Sequence, residues 1–166
     1  MKLIIVRHAA AIERTSEIPE QHRYLTPKGR AFMRNTARTM IKKGFEPGII
    51  LTSPLVRAVQ TAEILAGALT YIVPVVVTDE LAGFDAGVLR RLLKEFQQTD
   101  ELAIVGHEPD LSSVVASLLF LKEGFSFKKG SAIKLTVTAN LTTAANFKWL
   151  VAGKKLIMSQ GEAFAL

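Results

Sequence analysis

The sequence contains no cysteine, and this absence removes several kinds of chemistry. Without thiols the chain can have no disulfide bridges, no Cys-ligated zinc or iron–sulfur site and no thiolate nucleophile. It also lacks the H-E-x-x-H pattern, any other close His/carboxylate spacing suited to zinc, and the glycine pattern of a Walker A loop. We therefore expect no bound metal and no cofactor, and a fold that is stabilised by its hydrophobic core.

Long hydrophobic runs are missing too. The longest apolar stretch, around Val114–Leu121, falls well short of the roughly 18 residues that a membrane span needs. The N-terminal run Leu3–Val6 is too short for a signal peptide and is followed directly by Arg7. We expect a cytoplasmic protein without membrane contact. At about 150 residues per domain, the 166 residues predict a single domain spanning 1–166, which we expect to be a monomer.

The net charge of +6 is unevenly distributed along the chain. Residues 1–57 carry 11 basic and 4 acidic side chains, residues 58–119 carry 3 and 9, and residues 120–166 carry 7 and 2. Nucleic-acid-binding proteins usually gather basic residues on one element with interleaved aromatics, whereas adjacent lysines occur here only as the pairs Lys42-Lys43, Lys128-Lys129 and Lys154-Lys155. We expect no nucleic-acid partner. An acidic partner or a phosphorylated substrate stays open.

Short apolar runs alternate with segments of helical period, which predicts an α/β fold: a three-layer sandwich with a central, mostly parallel mixed sheet flanked by helices. Strands are predicted at Leu3–Val6, Ile49–Thr52, Ile72–Val77, Leu102–Val105, Ala132–Thr138 and Phe147–Ala152. The last two form an antiparallel pair, and Pro74 places its strand at an edge or marks the start of a strand. Four helices are predicted: from the Thr26-Pro27 cap to Gly44, from the Ser53-Pro54 cap to about Leu69, over about Val88–Phe96, and from Glu108-Pro109 to about Leu121.

Polar side chains lie directly after, or just past, the ends of three apolar strands. Arg7 and His8 follow the first strand, Ser53 the second, and His107 the fourth. The carboxyl ends of parallel strands form a ligand-binding crevice, so these side chains should meet there. Arg57 should lie one turn into the helix that Ser53 caps, where the hydroxyl and the free N–H groups of the first turn add anion-binding capacity. The sequence therefore predicts a phosphate site without metal.

Histidine is the nucleophile that fits this site. A neutral imidazole at His8 can attack phosphorus if its other nitrogen donates to a backbone carbonyl. The guanidinium groups of Arg7 and Arg57 match phosphoryl oxygens bidentately, and His107 could hold the equatorial oxygens as charge develops. A lone Arg or His after a strand is usually a solvated loop residue, as we expect for His22, but the joint placement favours a site.

At these residues the sequence resembles a known family. The segment Val6-Arg7-His8-Ala9 resembles the Arg-His-Gly motif of the histidine phosphatase (phosphoglycerate-mutase-like) superfamily, with Ala9 in place of the glycine. Residues 52–62 are similar to its S-P-x-x-R-A-x-Q-T-A signature, and Val105-Gly106-His107 resembles its third motif. The match runs from near residue 2 to at least 115. The small size, Arg23–Gly29 and Gly130–Ile133 resemble the SixA-type phosphohistidine phosphatases.

The resemblance implies a phosphoglycerate-mutase-like fold in which His8 forms a phosphohistidine intermediate and Arg7, Arg57 and His107 complete the phosphate pocket. It also implies that Arg23 reaches the phosphate. Many members of the superfamily use a glutamate after the third strand as general acid, and Glu80 is the candidate in that region, followed by Asp85. A surface role for Glu80 is the alternative.

The expected substrate is a phosphorylated histidine-containing protein. Its leaving group is an imidazole that is readily protonated at its far nitrogen, so it needs less help from an enzymic acid than a sugar alkoxide does. The loops Ala9–Leu25 and Thr78–Asp85 are short, which favours an open site over an enclosed one. Two alternatives stay open: a small-molecule phosphomonoesterase or mutase on the same scaffold, and a non-catalytic phosphate- or nucleic-acid-binding module.

Overall fold

A seven-stranded mixed sheet forms the centre of the molecule in the computed structural model, which describes residues 1–122, 124–138 and 140–164. The strands are β1 (Lys2–Arg7), β2 (Ile49–Thr52), β3 (Val75–Val77), β4 (Glu101–Gly106), β5 (Ser131–Thr136), β6 (Asn146–Ala152) and β7 (Lys155–Ile157). Their order across the sheet is β3-β2-β4-β1-β5-β6-β7. The first four in that order are parallel, and β5, β6 and β7 add antiparallel pairs.

Helices cover both faces of this sheet. They are α1 (Pro27–Ile41), α2 (Val56–Ala66), α3 (Ala86–Glu95), α4 (Asp110–Leu119) and the short α5 (Gln160–Ala163), with 3-10 turns at Glu20–His22 and Asp79–Ala82. Among the residues described, no helix has the length and apolarity that a membrane crossing requires.

Alternating residues of β1 show how the layers are built. Ile4 and Val6 join the core that is shared with α1 and α2, whereas Leu3 and Ile5 join the core that is shared with α3 and α4. All four side chains are fully buried because both faces of the strand are covered, which explains why the run is continuously apolar. The predicted three-layer α/β fold is confirmed.

Most predicted elements are confirmed, with shifted ends. The Thr26 side chain caps α1 by accepting the N–H of Gly29 at 3.0 Å. β3 lies at the sheet edge as predicted, but it begins only after Pro74, which has no N–H to donate to a ladder. The antiparallel pairing of β5 with β6 is confirmed. The sequence did not predict β7 or α5.

The predicted cap of α2 is wrong. Ser53 does not cap α2, which begins at Val56 with Leu55 at the N-cap position and no side-chain cap. The hydroxyl of Ser53 instead contacts His107 at 2.7 Å. The predicted start of the fourth helix is confirmed, because α4 begins at Asp110 with Pro109 at the N-cap position.

Candidate active site

Three neighbouring parallel strands end together at one edge of the sheet. In the paired register, Val6 of β1 lies beside Val105 of β4, which lies beside Thr52 of β2. The residues that follow these three positions therefore emerge at the same edge, although they are far apart in sequence. This register brings the predicted site residues of all three strands into one crevice.

The backbone around His8 is fixed from both sides. Its N–H donates to the Gly106 carbonyl at 3.1 Å, and its carbonyl accepts the N–H of Gly130 at 3.0 Å. The ring nitrogen Nδ1 lies 2.7 Å from the Ala9 carbonyl, and the side chain is buried. A carbonyl can only accept, so Nδ1 carries the hydrogen and the lone pair lies on Nε2. This is the tautomer that the nucleophile hypothesis requires.

Ala9 occupies the glycine position of the motif without backbone strain. It does not adopt a positive φ, so a Cβ is tolerated there. Its N–H donates to the hydroxyl of Thr61 at 3.1 Å, and that hydroxyl donates to the Arg57 carbonyl at 2.7 Å. Thr61 thus ties the loop after β1 to α2. Its place in the signature was visible in the sequence, but its role was not.

Arg57 lies directly against the nucleophile candidate. It is the second residue of α2 and is buried, and its Nε donates to His8 Nε2 at 3.3 Å. Its Nη1 donates to the Glu20 carbonyl at 2.9 Å, and its Nη2 lies 3.0 Å from the Glu20 carboxylate. The guanidinium therefore stands between His8 and an anionic group.

Arg7 is held by a backbone carbonyl that the sequence could not reveal. Its Nη1 donates to the carbonyl of Phe127, whose N–H donates to the Glu108 carboxylate at 3.3 Å. The Nε of Arg7 is buried and has no hydrogen-bond partner among the residues that the structure describes. A buried guanidinium N–H without a partner is costly, and an anionic oxygen would satisfy it.

His107 shares the crevice with His8. The two ring centroids lie 5.1 Å apart, and His107 Nε2 contacts the Ser53 hydroxyl at 2.7 Å. Within the described part of the chain, the buried Nδ1 of His107 has no hydrogen-bond partner. The Ser53 hydroxyl therefore orients this ring. Direct phosphate binding by Ser53 stays a prediction.

Burial keeps both imidazoles neutral at physiological pH. Desolvation is the main cause that lowers the pKa of His8 to about 3; the Ala9 carbonyl opposes it, and the charges of Arg57 and Arg7 add to it. Desolvation, followed by the charge of Arg57, lowers the pKa of His107 to about 4. Two neutral rings beside two guanidinium groups form a positively charged pocket in which Nε2 of His8 keeps its lone pair.

The structure adds a carboxylate that the sequence interpretation missed. Glu20 pairs with Arg14, Arg23 and Arg57 at 2.9 to 3.0 Å, while its own side chain is 42% exposed. Partial desolvation raises the pKa of this carboxyl, but hydrogen bonds and charges of the arginines outweigh it and lower the pKa overall. The spacing of Glu20 and Arg23, three residues apart in a polar loop, was the available signal.

The predicted phosphate contact of Arg23 stays a prediction. Its Nε donates to the Ile12 carbonyl at 2.9 Å, and its Nη1 pairs with Glu20. The Glu20 carboxylate also pairs with Arg57. It therefore links Arg23 to the edge of the crevice.

The two candidate acids are engaged elsewhere. Glu80 lies in an exposed 3-10 turn, where its carboxylate pairs with Arg91 at 2.7 Å. Asp85 caps α3 by accepting the N–H of Val88 at 2.8 Å. No hydrogen bond of the described residues joins either carboxylate to His8 or His107, so the general-acid role of Glu80 stays a prediction.

Comparison with known proteins adds the family. Residues 3–122 match the Histidine phosphatase superfamily (branch 1). An uncharacterized protein of Picosynechococcus sp. is 33% identical over 139 residues, which cover 81% of this chain and 84% of that protein. The protein histidine phosphatase SixA in complex with tungstate has a similar structure, with a TM-score of 0.81 and 24% identity over 92% of this chain and 97% of SixA.

Two further structures share the fold at lower identity. A putative SixA from Agrobacterium tumefaciens has a TM-score of 0.76 and 19% identity, with coverage of 91% and 97% of the two chains. The alpha-ribazole phosphatase from Shigella flexneri has a TM-score of 0.68 and 16% identity, with coverage of 92% and 96%. The chain belongs to branch 1 of the histidine phosphatase superfamily and is a phosphatase of that superfamily.

Proposed function

We propose that the protein hydrolyses phosphohistidine on a protein substrate through a covalent phosphohistidine intermediate on His8. The observation that carries the proposal is the contact of 2.7 Å between Nδ1 of His8 and the Ala9 carbonyl. It places the lone pair on Nε2, which lies in the buried pocket and accepts a hydrogen bond from Arg57 Nε at 3.3 Å. A neutral, oriented imidazole beside guanidinium groups is suited to nucleophilic attack on a phosphoryl group.

In the first step, Nε2 of His8 attacks phosphorus and forms a P–N bond while the P–N bond of the substrate breaks. The leaving imidazole keeps that electron pair and departs neutral if its far nitrogen carries a proton. Arg7 and Arg57 hold the phosphoryl oxygens, and the Nδ1 of His107, which has no partner among the residues described, donates to one of them. Water then attacks phosphorus, the bond to His8 breaks, and inorganic phosphate leaves.

The leaving group is the main reason to favour phosphohistidine. The expulsion of a sugar alkoxide requires proton donation, and the pairing of Glu80 with Arg91 engages the candidate acid in an exposed ion pair. An imidazole departs without such a donor. The similarity of the fold to SixA structures supports the same choice, whereas the similarity to the alpha-ribazole phosphatase supports the small-molecule alternative.

Two experiments test the proposal. Brief exposure to phosphohistidine peptide labelled with ³²P should leave an acid-labile, base-stable adduct on the wild-type protein and none on His8→Ala. An adduct of equal yield on the variant would refute the nucleophile assignment. His22→Ala, which changes an exposed histidine, serves as the matched control and should form the adduct normally.

The second experiment measures kcat/KM for a phosphohistidine peptide and for sugar phosphates under one set of conditions. A clear preference for the peptide supports the proposal. A much higher value for sugar phosphates would instead identify a small-molecule phosphomonoesterase of the same superfamily. No turnover of any phosphorylated compound would favour a non-catalytic phosphate-binding module.

A further inference from the structure

One face of α1 carries a row of cations with no acidic residue anywhere in the helix. Arg30, Arg34 and Arg38 recur every four residues, and Lys42 continues the row at the helix end. Residues four apart lie on the same side of a helix, so the four positive groups form a stripe of about 18 Å. We call Arg30, Arg34, Arg38 and Lys42 the α1 basic stripe.

The α1 basic stripe is electrically uncompensated. Among the residues described, none of its members forms an ion pair, and Arg34, Arg38 and Lys42 are exposed. Like charges four residues apart destabilise a helix, so the stripe opposes the stability of α1. A surface that costs stability and pairs with none of the described residues points to a partner outside the chain.

The stripe begins at the edge of the catalytic crevice. Thr26, at the N-cap of α1, donates to the carbonyl of Ala10 through both its N–H (3.0 Å) and its hydroxyl (3.3 Å). Ala10 is only two residues beyond His8. The stripe therefore runs along the flank of the molecule from a point close to the nucleophile.

A groove between α1 and α2 follows the same direction. Arg30, Arg34 and Arg38 line it on one side, and Gln60 and Glu63 line it on the other. Gln60 accepts the N–H of Leu25 at 2.8 Å and so borders the loop before α1. Among the described residues that line the groove, Glu63 is the single carboxylate, and no ion pair between described residues joins it to an arginine.

Rigid contacts extend the basic surface beyond the helix. The hydroxyl of Thr39 donates to the Gly153 carbonyl at 2.9 Å, and the hydroxyl of Thr36 accepts the Gly153 N–H at 2.8 Å. These bonds fix the turn between β6 and β7 against α1, so the exposed Lys154 adds a further cation beside Arg38 and Lys42. The surface is preorganised, which reduces the entropy lost on binding.

We infer that the α1 basic stripe docks an acidic segment of the phosphohistidine protein substrate, next to its phosphorylated histidine. This inference rests on the proposed function and narrows it to a substrate class. Charge complementarity selects the partner: a row of cations starting at the phosphoryl site fits a chain of carboxylates that flanks the phosphohistidine. In extended conformation, about six residues of substrate would span the stripe.

The test uses synthetic peptides with one central phosphohistidine and six residues on each side. The flanks are Glu-Ser, Gln-Ser or Lys-Ser repeats, and phosphoramidate is the small substrate. In 50 mM salt we expect the acidic peptide to exceed the neutral peptide by about tenfold in kcat/KM, through KM and not kcat. High salt should remove most of this advantage because it screens exposed charges.

Matched double variants locate the effect. Arg34→Gln with Arg38→Gln should lower kcat/KM for the acidic peptide by about fivefold and leave phosphoramidate hydrolysis unchanged. Arg90→Gln with Lys94→Gln removes the same charge from α3, on the opposite face of the sheet, and should have no effect. Arg34→Lys with Arg38→Lys should keep most of the preference. Removal of like charges should not lower Tm, so a folding defect would be visible separately.

The outcomes separate the two proposals. Equal kcat/KM for acidic and neutral peptides, or equal losses in the α1 and α3 variants, would overturn the docking inference while phosphohistidine hydrolysis stands. If the α1 variant loses affinity for a single-stranded DNA 20-mer but not for the acidic peptide, the surface serves nucleic acid and the inference is wrong. Failure of the wild type to hydrolyse any phosphohistidine peptide would overturn the proposed function itself.

Discussion

His8→Asn should make the stability of the protein less dependent on pH. In the folded state the pKa of His8 is lowered to about 3, mainly because burial penalises the charged imidazole, whereas the ordinary value is 6.5. Between these values the unfolded chain binds more protons than the folded one, so the free energy of unfolding falls as the pH falls. The stabilising contribution is complete above pH 6.5 and is lost progressively towards pH 3.

The size of the effect follows from these two values. For one such histidine, linkage gives a loss of about 2 kcal/mol in the free energy of unfolding between pH 7 and pH 5. The result changes little if the folded pKa lies anywhere below about 4, because the folded ring is then neutral at pH 5. His107, whose pKa is lowered to about 4 for the same main reason, contributes a similar loss.

Urea unfolding at pH 7, 6 and 5 measures this prediction. The wild type should lose about 2 kcal/mol more than His8→Asn over this range, because asparagine does not titrate. Both proteins contain the same carboxylates, so the contributions of these groups cancel in the difference between the two free energies of unfolding. His22→Asn removes an exposed imidazole and should follow the wild type. Parallel curves for the wild type and His8→Asn would refute the claim that burial holds His8 neutral.

Three further predictions concern single side chains of the pocket. Arg57→Lys should lower kcat/KM by about 10- to 100-fold, since an ammonium cannot contact both His8 Nε2 and a phosphoryl oxygen. Steady-state kinetics measure this loss, and a near-normal value would exclude a clamp role for Arg57. Ser53→Ala should lower kcat by about fivefold, with KM little changed, because the hydrogen bond that orients His107 is lost. An effect confined to KM would contradict this orienting role. Glu20→Gln should tighten inorganic phosphate binding by about two- to fivefold, because the carboxylate that competes with phosphate for Arg57 loses its charge. Calorimetry measures this affinity, and weaker binding would show that Glu20 supports the ligand site.

The sequence predicted the parts of the fold that depend on continuous burial. The apolar runs of β1 and β4 identified central strands because each is covered on both faces. The placement of His8 and His107 after these strands was enough to predict a shared crevice. The residues that follow parallel strands lie at the same edge of the sheet, so their position in the sequence predicts their place in the site.

Other features of the site depend on long-range contacts that no local pattern encodes. The Phe127 carbonyl holds Arg7 across 120 residues, and any residue type could supply that carbonyl. Ser53 followed by proline looks like a helix cap, but its hydroxyl is engaged by His107 from another strand. Tertiary contacts therefore overrode a sound local signal. The arginine cluster around Glu20 was missed for the same reason, since the loop folds back onto α2.

The acid sensitivity of the fold and the chemistry of the pocket have one origin. Burial lowers the pKa of His8 and so keeps its lone pair on Nε2, and the same low-dielectric surroundings strengthen the attraction between Arg57 and a phosphoryl dianion. A more solvated site would make the protein less sensitive to acid, but it would leave a larger fraction of His8 protonated and weaken the arginine contacts. Glu20 reaches Arg57 from the exposed side, so that in the resting pocket a surface carboxylate supplies one of the negative charges that a phosphoryl group would bring.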